Sequence, residues 1–169
     1  MAGEFDLSAF IGKNLDFARG YTFYCTLPTP ITGERAKYLV KSTALPDSTI
    51  GVTEANWQGN VYKLGTTHEY GDFTVSFNVD IVDNIRKQFL KWAKKIHDVE
   101  TNKHGSPGQY MQDITLEHLN HNTGNMILEY KLVKAWPSSV GEMTLDYSAK
   151  DLATFNVTFA YQYFLTNAA

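Results

Sequence analysis

Cysteine is almost absent from this chain. Cys25 is the one cysteine in 169 residues, which excludes an internal disulfide framework and a multi-cysteine metal site. Long apolar runs are also missing, since no stretch approaches the roughly 20 apolar residues of a membrane-spanning helix. The first residues, MAGEFDL, carry acids and lack the basic region and apolar core of a signal peptide. We therefore expect a protein that is soluble and cytoplasmic when made.

Positive charge and catalytic motifs are scarce as well. The formal net charge is −3, so the chain lacks the excess of positive charge that is typical of nucleic-acid-binding proteins. The sequence contains no His-Glu-x-x-His motif, no phosphate-binding glycine loop and no Gly-x-Ser-x-Gly elbow. His118 and His121 lie at a predicted strand end and turn, where their spacing does not bring both rings to one metal. Asp72, Asp80 and Asp83 suit solvated or capping roles better than acid–base catalysis. We predict a protein that is not an enzyme and uses no cofactor or metal.

Aromatic residues, by contrast, are abundant. They make up 14% of the chain, with ten Tyr and ten Phe, and this level favours a β-rich fold. The strongest pattern spans residues 72–97. It begins with a period of two, typical of a strand with one buried and one wet face. The apolar positions are Phe73, Val75, Phe77, Val79 and Ile81, and the polar ones are Thr74, Ser76, Asn78 and Asp80.

The period then becomes helical. Apolar residues recur at three and four positions with basic residues between them, which predicts one amphipathic helix at about residues 83–97. Asp83 is placed to cap its start, and lysines at its end suit the helix dipole. The apolar positions of this helix are Ile85, Phe89, Trp92, Ala93 and Ile96.

The remaining chain is predicted as strands and turns of a single domain covering residues 1–169. The fold class is mainly β, a domain with one helix and several two-faced strands. Further strands are predicted at 21–27 paired with 37–43, at 61–64, at 111–119 paired with 125–136, at 143–147 and at 154–164. Turns are predicted at 65–70 and 137–141, an N-terminal arm at 1–20, an interaction loop at 47–60 and a surface loop at 98–110.

Two segments carry more apolar residues than a free tail or loop requires. The arm either straps the domain's own core or packs on a neighbouring subunit. Trp57, in a Gly/Asn-rich segment, either folds back on its own core or docks on a partner, because Trp is a favoured interface anchor. The predicted subunit or ring contacts are Phe5, Leu7, Phe10, Ile50, Val52 and Trp57.

Three blocks of the sequence resemble the tail tube proteins of contractile-tailed bacteriophages of the T-even type. They cover most of the chain from Ser42 to Phe164, and their order and spacing carry the match. The blocks are Ser42-Thr43-Ala44-Leu45-Pro46; Lys63-Leu64-Gly65 through Tyr70-Gly71-Asp72-Phe73-Thr74-Val75 with Arg86, Phe89 and Trp92; and Trp136 through Tyr147 followed by Thr154 through Phe159.

The resemblance implies a fold and an assembly. The fold is a β-sandwich or half-barrel flanked by a helix, similar to type VI secretion tubes. Six copies form a ring, and rings stack into a hollow tube inside a contractile sheath, through which the genome passes. The implied partners are other copies, the tail sheath protein, baseplate and tail-terminator proteins, and, transiently in the lumen, the tape-measure protein and DNA without specific binding. The implied location is the virion tail, assembled in the host cytoplasm without membrane insertion.

The polar sides of two predicted strands suit such a lumen. A small, slightly acidic wall lets DNA slide past, whereas lysines bind phosphates. Six chains give a ring a formal charge on the order of −18, which repels DNA in the same sense. The alternative is that these side chains face bulk solvent on an ordinary sandwich. The predicted lumen-facing residues are Thr74, Ser76, Asn78, Asp80, Asp113, Thr115 and Glu117.

Other functions remain open at the level of sequence. One alternative is a baseplate protein of the same fold that initiates the tube, and another is the tube of a phage-like injection machine. A more distant alternative is a small-molecule-binding β-barrel with the Phe155/Phe159 face lining its cavity.

Overall fold

A computed structural model describes residues 18–28, 33–81, 85–148 and 150–168. The strands are β1 (Phe23–Thr26), β2 (Val40–Thr43), β3 (Ser48–Trp57), β4 (Asn60–Tyr70), β5 (Phe73–Asn78), β6 (His97–Asp98), β7 (Lys103–His104), β8 (Gln112–Leu119), β9 (Met126–Val140), β10 (Thr154–Ala160) and β11 (Tyr163–Ala168). Two α-helices, α1 (Ile85–Ile96) and α2 (Pro107–Tyr110), and a 3₁₀ turn (Glu34–Tyr38) complete the described elements. The predicted arm lies almost wholly outside the described residues, including Phe5, Leu7 and Phe10.

Seven strands form one antiparallel sheet in the order β1-β8-β9-β10-β5-β2, with β11 also paired to β9. The end strands β1 and β2 line a common cleft but are not hydrogen-bonded to each other in the described part of the chain. The sheet therefore curves into an open half-barrel.

The long strand β9 joins the two halves of this sheet. Its first part pairs with β8 and β11, and its last part pairs with β10. A bulge lies between them at Lys134, whose φ is 54° and whose N–H donates to Asp113 Oδ1 at 3.1 Å. Bulges bend a strand and increase its twist, so this one helps β9 pass from one half to the other.

The apolar side of the sheet forms the core, and α1 covers it. The Phe89 ring lies 5.0 Å from the Phe77 ring and 5.9 Å from the Phe159 ring, centroid to centroid. Trp92 is fully buried, and its indole Nε1 donates to the carbonyl of Tyr110 at 2.7 Å. The predicted helix is confirmed over Ile85–Ile96 together with its apolar stripe, and Asp83, the predicted cap, lies outside the described residues. The Phe155/Phe159 face is packed by helix side chains, so the idea of a ligand cavity there is wrong.

Strands β3 and β4 form a separate hairpin of two strands. A two-residue turn, Gln58–Gly59, connects them with φ values of 47° and 82°, as in a type I′ turn. Every residue of both strands is exposed except Gly51 and Tyr70, which are half-buried. Residues 47–60 are thus mainly strand rather than loop, and 61–70 form one strand rather than a short strand and a turn. Both faces of the hairpin are exposed to solvent, so its sequence lacks the alternation of apolar and polar residues that predicts a strand.

Several other predicted boundaries are also wrong. β1 pairs with β8, and β2 pairs with β5, so residues 21–27 and 37–43 form no hairpin. β9 continues through Pro137 to Val140 where a turn was predicted, because Pro137 lies beside a second bulge, a position that tolerates proline. The predicted hairpin of 111–119 with 125–136 is confirmed as β8 and β9.

The ends of two predicted strands also differ. β5 stops at Asn78, and Ile81, predicted as buried, is 98% exposed. The predicted strand 154–164 is two strands that break at Tyr161–Gln162, where the chain crosses from one half of the sheet to the other. Residues 143–147 lie in an irregular connection. Residues 98–110, predicted as a loop, contain the small β6–β7 hairpin and α2.

Candidate functional site: assembly surfaces

The side of β5 that faces away from the core is small and neutral. Thr74 is exposed, and Ser76 and Asn78 are half-buried, between the buried Phe73, Val75 and Phe77. On β10 their antiparallel partners are Thr158, Asn156 and Thr154. The hydroxyls of Thr74 and Thr158 lie 3.2 Å apart, so this face hydrogen-bonds within itself.

Asp80 differs from the other residues predicted on this face. It lies beyond the end of β5, half-buried, with Oδ2 3.7 Å from an Arg35 guanidinium nitrogen. Asp80, predicted as the acidic end of the β5 face, is therefore placed beside the positive charge of Arg35.

The second predicted group lies on β8. Asp113 is exposed, and Thr115 and Glu117 are half-buried. Asp113 Oδ2 lies 3.1 Å from Lys131 Nζ on β9. Partial burial raises the pKa of Asp113, but hydrogen bonds from the Lys134 N–H and from Lys131 outweigh it and hold that pKa below its usual value. This face thus combines acids with a lysine.

Apart from Asp80, the predicted residues occupy the non-core side of one continuous sheet, and none of the seven is fully buried. β9 and β10 separate β8 from β5.

The hairpin of β3 and β4 is the most exposed apolar element described. Ile50, Val52 and Trp57 are all exposed, Trp57 at 73%. Trp57 does not fold back on the core, which removes that alternative. Tyr62 and Leu64 are also exposed, and the cross-strand register places them on the Trp57 side of the hairpin.

Sequence reasoning did not single out Tyr62 and Leu64, which are exposed on the Trp57 side. Recognising Gln58–Gly59 as a hairpin turn reveals them, because the register then follows from the turn. The same register places Val52 on the side opposite Trp57, so the hairpin is apolar on both sides.

Aromatic packing anchors the base of the hairpin to the body. The Tyr70 ring lies 5.4 Å from the Phe164 ring and 6.1 Å from the Tyr161 ring. The Tyr161 hydroxyl is buried with no hydrogen-bond partner among the described residues. Burial first, and then the charges of Asp47, Tyr70 and Asp72, raise the pKa of Tyr161 to about 12.

A third exposed surface is the β9–β10 connection, residues 141–148 and 150–153. Leu145 is 78% exposed, Leu152 is 77% exposed and Tyr147 is fully exposed. Asp146 Oδ1 accepts hydrogen bonds from the Ser148 N–H and hydroxyl, both at 2.8 Å, and these bonds lower the pKa of Asp146. A cleft of about 330 Å³ lies between residues 144–146 and 151–154.

No chemical centre emerges from the described residues. No three His, Cys, Asp or Glu side chains among them are placed to hold a metal ion. In that same part of the chain, no helix combines the length and apolar character needed to span a membrane. His118 Nε2 lies 2.9 Å from the Arg19 carbonyl, where it makes a local contact at the surface.

Sequence comparison finds a phage protein of moderate similarity. The tail tube protein of Serratia phage KSP90 is 27% identical over 118 residues, which are 69% of this chain and 66% of the relative, just under two thirds of its length.

Solved structures show the same fold at low sequence identity. A chain of the sheath-tube complex of the extracellular contractile injection system PVC matches with a TM-score of 0.68 and 15% identity, over 96% of this chain and 98% of that one. Hcp1 from Flavobacterium johnsoniae matches with a TM-score of 0.50 and 9% identity, over 88% and 97%. The predicted tube-like β fold is confirmed. A family model described as phage tail tube protein matches residues 14–167, and the chain therefore belongs to the phage tail tube protein family.

Proposed function

We propose that this protein is the structural subunit of the inner tube of a contractile phage tail. Six copies form a ring, rings stack into a hollow tube, and the genome passes through it during ejection. The observation that carries the proposal, beside family membership, is the two-sided sheet. Its apolar side is sealed by α1, and none of the described elements covers its polar side.

The polar side has the chemistry of a passage rather than of a binding site. Thr74, Ser76 and Asn78 face Thr158, Asn156 and Thr154, and all six side chains are neutral. Such a wall neutralises no phosphates, so it releases no counterions and gains no affinity for DNA. On the β8 row, Lys131 is held by Asp113, which limits its attraction for phosphate. These contacts support the predicted lumen residues on β5 and β8.

Open strand edges supply a means of closing the ring. β1 and β2 are the two edge strands of the sheet, and β11 is paired only with β9 among the described residues. An unpaired edge invites pairing with another chain, and rotational closure turns such pairing into a ring. The protein then acts by assembly, without catalysis.

The position of α1 defines the outer surface of the tube. Because α1 packs on the side of β5 and β10 opposite the polar face, it lies outside whenever that face lines the lumen. The sheath protein contacts this outer side, and baseplate and terminator proteins contact the two ends of the stack. The tape-measure protein and DNA pass inside. The tube is a virion tail component, assembled in the host cytoplasm.

Electron microscopy of the purified protein tests this function. We expect six-fold rings at low concentration and stacked tubes at high concentration or when nucleated by baseplate protein. Monodisperse monomers under every salt condition, with neither rings nor tubes, would overturn the proposal.

The tube of a phage-like injection machine is the second candidate. Its support is the fold shared with the extracellular injection system along nearly the whole chain. Particles purified from the producing host decide between the two, because a phage tail carries a DNA-filled head and an injection machine does not.

A further inference from the structure

We propose that residues 4–17 of the same chain dock on the cleft between β1 and β2 and cover the strand edges there. The segment then acts as an intramolecular inhibitor of ring closure in the free subunit. The inhibition rests on the proposed tube function, whereas the docking does not. The family match begins at residue 14, so residues 4–13 lie outside the matched part of the chain.

The cleft lies where the half-barrel is open between β1 and β2. Its volume is about 420 Å³, and it shares Phe23 and Thr43 with an adjoining cavity of about 140 Å³. Phe23 lies on the same side of β1 as the buried Cys25. Val40 lies directly opposite the buried Phe77. Phe23 and Val40 are themselves only half-buried, so the cleft opens onto the edge of the core.

The rim of this opening exposes apolar groups and bare strand edges together. Tyr21 lines the cleft and is 74% exposed, and Leu45 lines the smaller cavity and is 50% exposed. Among the described residues β1 pairs only with β8 and β2 only with β5, so each strand also has an unpaired edge here. Exposed apolar groups beside an unpaired edge form a surface that a monomer has to cover.

The position of residues 4–17 along the chain brings them to this cleft. Gly20 lines both cavities, and the described chain starts two residues earlier, at Ala18. Phe17 is three residues from Gly20, or roughly 10 Å of extended chain. The whole segment reaches up to about 46 Å when extended, whereas the four residues of β2 are about 13 Å long. The segment is therefore long enough to run the length of the cleft.

The segment and the cleft are complementary in charge and in apolar character. Lys37 and Lys41 line the larger cleft, and no acid is among its described lining residues. Residues 4–17 carry three acids and one lysine. They also carry six large apolar side chains, enough to cover the exposed rim. These are Phe5, Leu7, Phe10, Ile11, Leu15 and Phe17.

The covalent tether favours the chain's own segment over the segment of a second copy. A tethered group acts at an effective concentration in the millimolar range, far above that of a dilute protein solution. The free subunit therefore covers its own edges. Ring closure supplies contacts on two sides of every subunit, so it displaces the segment at high concentration or when baseplate protein starts the ring. Below that point the subunit stays a monomer.

A nitroxide spin label at residue 10 tests the docking in the full chain. Phe10→Cys accepts the label, because the native Cys25 is fully buried. In dilute ¹⁵N-labelled protein the label should broaden the amide signals of β1 and β2. The matched control is Trp57→Cys, at the exposed tip of the β3–β4 hairpin and roughly 30 Å along β3 from the body. A label there should leave those signals sharp.

Mixing experiments show whether the contact forms within one chain. Spin-labelled copies without ¹⁵N are mixed with unlabelled ¹⁵N copies, so that only contacts between copies are detected. We expect no broadening in the mixture. Sharp β1 and β2 signals in the spin-labelled ¹⁵N protein overturn the docking. Broadening in the mixture also overturns it, because the segment then binds a second copy.

The double variant Phe10→Ser with Ile11→Ser tests the inhibition. If the segment is docked in about nine of ten free subunits, ring formation needs roughly tenfold more protein than an open subunit does. We therefore expect the variant to form rings at a roughly tenfold lower concentration than wild type, measured by light scattering and microscopy. Leu90→Ser with Val99→Ser, at two exposed positions, is the matched control and should keep the wild-type threshold. An unchanged or higher threshold in the segment variant overturns the inhibition.

The two readouts separate this inference from the proposed function. The spin label reports on monomers, so it decides the docking whether or not the protein forms tubes. Wild-type protein that forms no rings, even with baseplate protein present, overturns the tube function and the inhibition together. Wild-type tubes combined with sharp β1 and β2 signals overturn the docking alone.

Discussion

At the scale of residues, two tryptophans show what a hydrophobic period can predict and what it cannot. Trp92 falls on the helical stripe, and the structure buries it completely with its N–H bonded to the Tyr110 carbonyl. Trp57 has no apolar period around it, and the structure leaves it at the tip of a projecting hairpin. The same side chain therefore stabilises the fold in one place and is available for assembly in the other.

Replacing each tryptophan by phenylalanine should separate these roles. Trp92→Phe leaves a void and removes the indole donor from the part-buried Tyr110 carbonyl, so we expect a loss of about 2–3 kcal/mol in the free energy of unfolding. Trp57→Phe changes a solvated side chain, so the expected change is within about 0.5 kcal/mol. Urea unfolding of the monomer at neutral pH measures both. Equal losses in the two variants would contradict these assignments.

Cys25 offers a second test at this scale. Its side chain is fully buried in β1, and burial raises the pKa of the thiol to about 12. Because the thiolate is the reactive form, we expect no labelling by a thiol reagent at pH 8 until the protein unfolds. Ser48→Cys, at an exposed position of β3, is the control and should react at the rate of a free thiol. Labelling of both thiols in the native state would show that β1 opens.

At the scale of elements, prediction succeeded where one face is buried and the other is wet. α1, the body of β5 and the β8–β9 hairpin all have such a period, and each was predicted. The β3–β4 hairpin was missed because a strand exposed on both sides has no period of two. The paired strands β1 and β8 lie about ninety residues apart in the sequence, and local patterns contain no information about such a pairing.

The candidate surfaces also differ in whether a buried face made them predictable from the sequence. The β5 row was predictable because the buried side of that strand fixes its polar side. Residues 143–147 of the β9–β10 connection were predicted as a strand, and Met143, Leu145 and Tyr147 alternate there with polar residues. In the structure this segment is not a strand: Met143 packs against the core, but Leu145 and Tyr147 are exposed. Two exposed side chains bury no face within one chain, so a period of two there does not establish a strand.

The turn of the hairpin gives a test at the scale of one element. Gly59 has φ +82°, which a β-branched side chain adopts only under strain. We expect Gly59→Val to destabilise the hairpin by roughly 1–2 kcal/mol. Amide exchange in β3 and β4 should become about tenfold faster, while exchange in β5 and β10 stays unchanged.

Gln58→Asn is the opposite variant at the same turn. Asn is a preferred residue at the first position of a type I′ turn, so we expect slower exchange in the hairpin and more tube at a given protein concentration. If Gly59→Val instead lowers the melting temperature of the whole body, the hairpin is part of the core's cooperative unit.

At the scale of the whole molecule, charge is segregated between the two sides of the sheet. Helix α1 carries five basic residues and no acid, whereas the entire chain has a net charge of −3. The residues outside α1 therefore carry −8. The helix lysines lie on the side opposite the neutral face of β5 and β10. In the proposed tube this arrangement keeps the cations of α1 away from passing DNA and presents them to the surrounding sheath.

Moving a lysine from one side to the other tests this separation. Ser76→Lys places six cations in each ring on the proposed lumen wall, where they release counterions from phosphates. We expect tubes of this variant to retain short duplex DNA and protect it from nuclease at low salt, and to lose it as salt rises. Leu90→Lys adds the same charge to the outer face of α1, so DNA attracted there stays open to nuclease. Retention and protection are the measurements, with wild-type tubes as the baseline. Equal protection by both variants, or none by Ser76→Lys tubes, would place the β5 face outside the lumen.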